Sequence, residues 1–304
     1  MFDTKNWCKV ISQTYNLKLV KFNLKKNNLL YAIEKKDNKN NTLVYFSPFG
    51  DYYENFKSIS KIKLLSKKKS DIFYNYKFIS KNRIKKKNCY LDGYVHLLNI
   101  NNYNDWIYGK KIKYSFKRYL KEKYTKNIII KFSYKKKDLD IFYSLYEKYR
   151  YFKFNKIAQP KSFFNNIFST YIKKKNGFIV SAYNQKEILS SMIFICDYKN
   201  KKSYYKFGCS KLKNKFKSDN FIILKVIQYL IKKKIKQICF GYSQLDNYGL
   251  IRFKRSIGTD QYYRYNYKPK IFFENKKSHK LNLKIKKVNF DKLKNLKNEY
   301  FQFL

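Results

Sequence analysis

The sequence predicts a mixed α/β fold (α+β in some schemes) with largely antiparallel sheets flanked by helices. Three observations carry that reading. Hydrophobic residues make up 44% of the 304 residues, enough to bury a core of ordinary proportions. Segments that alternate apolar and polar residues recur along the chain. The second half runs helix, helix, three strands, apolar helix, strand, short helix, strand. Three strands joined by short turns pair antiparallel, which points away from a purely doubly wound sheet.

In the first half, residues 42–47 (TLVYFS) read as a strand that stops at Pro48 and Gly50. Residues 72–79 (IFYNYKFI) and 93–100 (GYVHLLNI) alternate as half-buried strands do. A basic, helix-like stretch covers 103–123, and NIIIKFSY at 127–134 is a further strand. The run KKKDLD at 135–140 reads as a hinge, which sets an N-terminal domain at 1–134 and a C-terminal domain at 135–270.

The second half opens with a helix capped by Asp138, with Leu139, Phe142, Leu145, Tyr146 and Tyr149 on one face. A second helix starts after Pro160, where the missing N–H costs nothing. GFIVSAY, ILSSMIFIC and SYYKFG follow as strands. Ser218 or Asp219 caps an apolar helix at 220–234, and QICFGYS and QYYRYNY are the last strands. Residues 271–304 form a basic tail. Phe290, Leu293, Leu296, Tyr300 and Leu304 share one helical face there, suited to the protein's own core or to a membrane surface.

The formal charge is +50, with 64 lysines against six arginines. Lys, Asn, Ile, Tyr and Phe share A/T-rich codons and are inflated together, the mark of an A/T-rich genome. A chain selected to grip phosphate would favour the bidentate guanidinium. The charge alone therefore does not establish a nucleic-acid binder. Five cysteines with no CxxC spacing suggest neither a disulfide framework nor a zinc site. No apolar h-region follows the N-terminus, and the longest apolar segment, FIILKVIQYLI, is too short to span a bilayer. A cytoplasmic location is the expectation.

Four motifs carry a family resemblance: SPFGDY (47–52), QPKSFF (159–164), YYKFGCS (204–210), and FGYSQ followed by GLIRFKRSIG. In order and spacing they resemble the FemAB-like group of GNAT-type N-acyltransferases, which carries two GNAT-like domains in tandem. The resemblance spans about residues 45–267. It implies transfer of an acyl or aminoacyl group to an amine of a cell-envelope precursor, an amino sugar or a peptidoglycan stem peptide. No cofactor would be tightly bound. Acyl-CoA or aminoacyl-tRNA would be the co-substrate, and tRNA a partner. The RxxGxG/A loop of acyl-CoA enzymes is not seen after Gly208, where the chain reads SKLKNKFKSDN. That departure favours the tRNA-dependent Fem ligases. Two others are Cys239 and Tyr242, where the family often has Asp and Arg.

Acyl transfer to an amine needs a neutral amine, a carbonyl within reach and donors for the oxyanion, but no enzyme nucleophile. That fits a chain with only His96 and His279 and no triad signature. The resemblance places Lys254 and Asp51 at the reacting centre. It places Tyr52, Tyr205, Gly241, Tyr242, Ser243, Arg252, Phe253 and Arg255 around the substrate. Gly208 with Lys211, Lys213, Lys215 and Lys217 would meet the donor, since lysines before a helix N-terminus suit phosphate. Gly249 and Gly258 are expected to take positive φ at the two ends of the short helix. No metal is expected. The competing readings are a non-catalytic basic protein that binds nucleic acid and a degenerate transferase-like protein.

Overall fold

A computed structural model describes residues 4–24, 28–36, 42–45, 72–85, 89–117, 127–212 and 217–267. The turn bearing Asp51 and Tyr52, the loop lysines Lys213 and Lys215, His279 and the tail helix lie outside them. The described residues form two compact units. One holds those up to Tyr94 together with those from Tyr262 onward; the other is Val95–Gln261.

In the first unit, helix α1 (Thr4–Tyr15) buries Trp7, Cys8, Val10 and Ile11. That spacing is helical, and α1 packs on the hairpin of β1 (Lys18–Leu24) and β2 (Asn28–Lys36). Strand β2 pairs antiparallel with β3 (Thr42–Tyr45), and β3 pairs parallel with β4 (Ile72–Ser80). At the domain's other end of the chain, β11 (Asp260–Tyr267) pairs antiparallel with β4. Tyr265 stacks on Phe78 at 5.3 Å, and its hydroxyl accepts from the Ile84 amide at 2.7 Å. Arg264 holds Asp92 with two bonds of 2.9 Å, from Nε and from Nη2. This planar fork is the geometry in which Arg outperforms Lys. It explains an arginine in a chain that otherwise uses lysine.

The second unit begins partway along β5 (Cys89–Asn99). A continuous basic helix is expected at 103–123; among the described residues 103–117 the chain instead forms two separate helices, α2 (Tyr103–Ile107) and α3 (Tyr114–Lys117). Asn102 caps α2 by accepting from the Asp105 amide at 2.8 Å. Trp106 and Phe116 turn inward, and the Trp106 indole donates to the Ile257 carbonyl at 2.9 Å.

Strands β6 (Ile128–Ser133), β7 (Gly177–Asn184), β8 (Glu187–Asp197) and β9 (Lys202–Ser210) are consecutive antiparallel neighbours, as the turn spacing predicts. Strand β10 (Gln237–Gln244) joins β9 in parallel, and β5 lies on its other side. The sheet is therefore mixed and largely antiparallel.

Helices cover both faces. Helix α6 (Ser218–Lys232) lays Ile222, Ile223, Val226, Ile227 and Leu230 against Phe178, Val180 and Phe194. Side chains alternate along a strand, so the other face takes helix α4 (Lys136–Phe154) and helix α5 (Lys161–Ile167). Helix α5 continues as one π turn, Phe168–Ile172.

Three local expectations are corrected. The run 135–140 is no hinge, because Lys136–Asp140 form the start of α4. Asp138 is not the cap either. Lys135 is, and Asp138 sits buried in the first turn, taking bonds from Ser133 Oγ (2.5 Å) and Lys131 Nζ (2.9 Å). At α6 the cap is Lys217 in the left-handed region (φ 50°), with Ser218 and Asp219 as the first helical residues.

Phe164 is the most connected ring of the α4–α5 layer. It is fully buried and lies within 5.0–5.5 Å of Phe142, Tyr143, Tyr146, Phe163 and Phe207. Phe164→Ala is expected to cost about 3–5 kcal/mol in a urea melt, since so large a void cannot collapse.

Candidate active site

The sheet of the second unit opens where β9 and β10 part. Their parallel pairing covers only Gln237↔Lys202 to Cys239↔Tyr204, yet β9 runs on to Ser210 and β10 to Gln244. Two irregularities accompany the split. The β8–β9 register jumps from Ile193↔Phe207 to Phe194↔Tyr205, so Lys206 is a bulged extra residue. In β10, Gly241 has φ +73°, a conformation that costs an L-residue about 1–2 kcal/mol.

A cleft of about 340 Å³ occupies this opening. Its walls are Tyr205, Lys206, Phe207 and Gly208 from β9 and Phe240, Gly241 and Tyr242 from β10. Tyr146, Tyr149, Arg150 and Phe154 come from α4. Leu250 and Lys254 come from helix α7 (Tyr248–Ser256), which Asn247 caps by accepting from the Leu250 amide at 3.1 Å. Among the described residues the lining holds three cations, Arg150, Lys206 and Lys254, and no carboxylate.

Lys254 is the buried amine of the cleft wall. It is 3% exposed, which few of the 64 lysines would tolerate. Its Nζ donates to the Tyr242 carbonyl at 2.9 Å, just after the kink at Gly241. Burial drives its pKa from 10.5 down to about 7, with Cys239 opposing. Such a lysine carries appreciable amounts of both protonation states near neutrality.

Behind it lies a second buried group. His96 of β5 is fully buried, with Nδ1 3.4 Å from Thr259 Oγ1, and Thr259 in turn donates to the Lys254 carbonyl at 3.0 Å. Its Nε2 has no partner among the described residues. Burial, then the charges of Lys254 and Arg255, lower its pKa to about 3, so the ring is neutral at neutral pH. Sequence reasoning gave His96 no part in the site, because its neighbours there, Lys254, Arg255 and Thr259, are 158 and more positions away.

Of the expected site residues, Tyr205, Gly208, Gly241, Tyr242 and Lys254 line the cleft together. Ser243, the next residue, is fully buried and does not line it. Arg252 and Arg255 are exposed on α7, and Phe253 packs on the α6 core, so none of the three lines the cleft. Gly258 has φ +92° beyond α7, as expected. Gly249 does not take positive φ; it sits inside the first turn of α7. Lys211 is paired with Glu187, and Lys217 is exposed at the start of α6.

The first turn of α6 also carries Asp219. Its carboxyl accepts from Ser210 Oγ at 2.6 Å and from Ser190, and burial raises its pKa. An acid tied down at that helix end, beside a lysine already paired, is a poor cradle for pyrophosphate.

Sequence reasoning missed Tyr149, Arg150 and Phe154 as cleft residues. Tyr146, Tyr149 and Arg150 share a helix face, and Arg150 is one of six arginines, so a signal was present. Gly208 has a clearer structural reason than donor binding. A Cβ there would collide with the Tyr205 hydroxyl and lie 2.9 Å from its Cζ. Tyr205 is held between Phe194 and Phe240, at 5.4 and 6.2 Å. Gly208→Ala is expected to destabilise by about 1–3 kcal/mol and to displace Tyr205 into the cleft, read by a urea melt and by loss of ligand-induced stabilisation.

With the split sheet and its cleft in place, the chain has a FemAB-like, GNAT-type fold. It is similar to FemX, at a TM-score of 0.67 and 14% identity, over 87% of this chain and 91% of that one. It is also similar to L-PGS from Bacillus licheniformis, at a TM-score of 0.57 and 11% identity over 87% and 91%. A third likeness is the C-terminal domain of a protein assigned as a lysylphosphatidylglycerol synthetase from Agrobacterium fabrum, at 0.58 and 8% over 86% of each chain. No protein-family model and no curated protein sequence matches the chain. Among the described residues no helix is long and apolar enough to cross a membrane.

Proposed function

We propose that the chain is an acyltransferase that moves an aminoacyl or acyl group from an activated ester to an acceptor amine in the β9–β10 cleft. The observation that carries this reading is Lys254, a buried amine held near pH 7 at the point where the sheet splits. A group with that pKa suits proton transfer at neutral pH. Lys254 takes the proton that the attacking amine must lose and returns it to the departing oxygen. Its protonated form, with Arg150 and Lys206, meets negative charge on the substrates.

The acceptor is an amine of an anionic cell-envelope precursor, an amino sugar or a peptidoglycan stem peptide. The Fem resemblance supports this, as does the likeness in fold to proteins named FemX and lysylphosphatidylglycerol synthetase. A cleft whose described lining is cationic and holds no carboxylate suits such an acceptor. Aminoacyl-tRNA is favoured over acyl-CoA as donor, because Asp219 and the Lys211–Glu187 pair occupy the helix end that would otherwise cradle a pyrophosphate. Asp51, Tyr52, Lys213 and Lys215 keep the roles that the resemblance implies.

The test is a transfer assay on the purified protein, with aminoacyl-tRNA and acyl-CoA offered in parallel to UDP-amino sugars and cell-wall precursors. Donor-dependent mass added to one acceptor supports the reading. No transfer from either donor, and no stabilisation by any of these compounds, sinks it.

A further inference from the structure

The Lys254 amine has features that proton transfer alone does not require. It forms part of the wall of the cleft, its hydrogen bond among the described residues runs to a main-chain carbonyl, and no carboxylate among the described lining residues stands beside it to hold an ammonium in place. The same cleft, on the reading above, brings in an activated ester. We infer that Lys254 is itself an acylation site: when an acyl ester occupies the cleft without an acceptor, Nζ attacks the acyl carbon. This inference rests on the proposed function for its donor.

The step balances without a further reagent. The Nζ–C bond forms and the acyl C–O bond breaks. The amine proton leaves with the departing alcohol, and the product is an amide of Lys254. The amide no longer titrates, so the residue that would handle protons is lost. Self-acylation thus makes the enzyme's survival depend on its acceptor: a filled acceptor site supplies the competing amine, and an empty one leads to inactivation.

Geometry selects this lysine over the others. Exposed lysines such as Lys211, Lys131 and Lys136 are paired with carboxylates or open to water. Lys254 faces Cys239 from β10, His96 from β5, Tyr205 and Lys206 from β9, and Tyr146, Tyr149 and Arg150 from α4, with Arg255 on its own helix. Cys239 alone among these favours the ammonium, and burial outweighs it.

The experiment treats the full chain at pH 7 with p-nitrophenyl acetate as a small activated ester, and maps acetylated lysines by peptide mass spectrometry. Acetyl is expected first on Lys254, on the order of 10–100-fold faster than on the average exposed lysine, whose neutral fraction is far smaller. Lys254 labelling should rise with a midpoint near pH 7, and the preference should vanish in denaturing urea. Acetyl spread evenly over exposed lysines, Lys254 left unlabelled, or a preference that survives in urea each overturns the inference. The outcome separates from that of the transfer assay. A protein that transfers but is not acetylated on Lys254 refutes self-acylation alone. One that is acetylated there but transfers to no acceptor refutes the proposed function alone.

Discussion

Lys254→Ala is expected to lower transfer by about 10²–10⁴-fold, the usual loss when a positioned acid–base group is removed. In the wild type the rate should climb through the acid limb and level off above about pH 7, as the amine becomes neutral. The variant should lose that limb along with the rate. A drop in rate that leaves the pH profile unchanged would assign Lys254 a merely architectural part. The same burial has a stability signature. Folded Lys254 releases its proton near pH 7 and the unfolded chain near 10.5. Between these values the unfolded state binds more protons, so native stability rises with pH across that window and carries the full cost of the buried charge below it. Lys254→Met, which keeps the volume, should remove that slope and be the more stable protein at pH 6, by up to about 4–5 kcal/mol. Urea midpoints at pH 6 and pH 10 provide the check.

The second large effect concerns acid. His96 is held neutral in the fold down to about pH 3, against 6.5 when unfolded. Its contribution is therefore complete above pH 6.5 and is lost as pH falls from 6.5 towards 3, where the unfolded state alone takes up the proton. The window of about 3.5 units corresponds to about 5 kcal/mol, a large share of a typical domain's total. His96→Leu should flatten the acid slope between pH 6.5 and 3.5 while the carboxylates titrate as before. Because Nε2 has no partner to lose among the described residues and Nδ1 has only the long 3.4 Å contact with Thr259, stability at pH 7 should fall by no more than about 1 kcal/mol. Urea melts of both proteins across that range decide it. Parallel slopes would mean that His96 is protonated in the fold.

The strands of the second unit were legible because their signal is local. Period-2 alternation and short turns specify GFIVSAY, ILSSMIFIC and SYYKFG without long-range help. Helix boundaries were less so. KKKDLD reads as a hinge by composition, yet Ser133 and Lys131 satisfy Asp138 from the neighbouring strand, and only the fold supplies that. The stretch 103–123 reads as one helix by composition, but Trp106 must reach the Ile257 carbonyl, 151 positions away, and the chain breaks to allow it. The same limit governs the site. FGYSQ and RFK marked β10 and α7, and so led to Lys254. Nothing in a run of 64 lysines says which one is dry. Tyr149 and Arg150 lay in plain view on α4, but their part depends on β9 and β10 separating, which is a pairing event. At the N-terminus, Trp7, Cys8, Val10 and Ile11 already have the helical spacing that α1 buries, so that helix too was legible in the sequence.

The first unit is discontinuous in sequence, and this has a consequence for synthesis. Its last strand among the described residues is β11, and the Arg264–Asp92 pair closes across 172 residues. A ribosome delivers Val95–Gln261 whole before β4 has its antiparallel partner. The second unit can therefore fold while the first still waits for its final strand, with one side of β4 open to other chains until translation passes Tyr267. Nascent chains released at Gln261 should keep the core around Phe164 and aggregate through the unfinished unit, whereas chains released a few residues later should not.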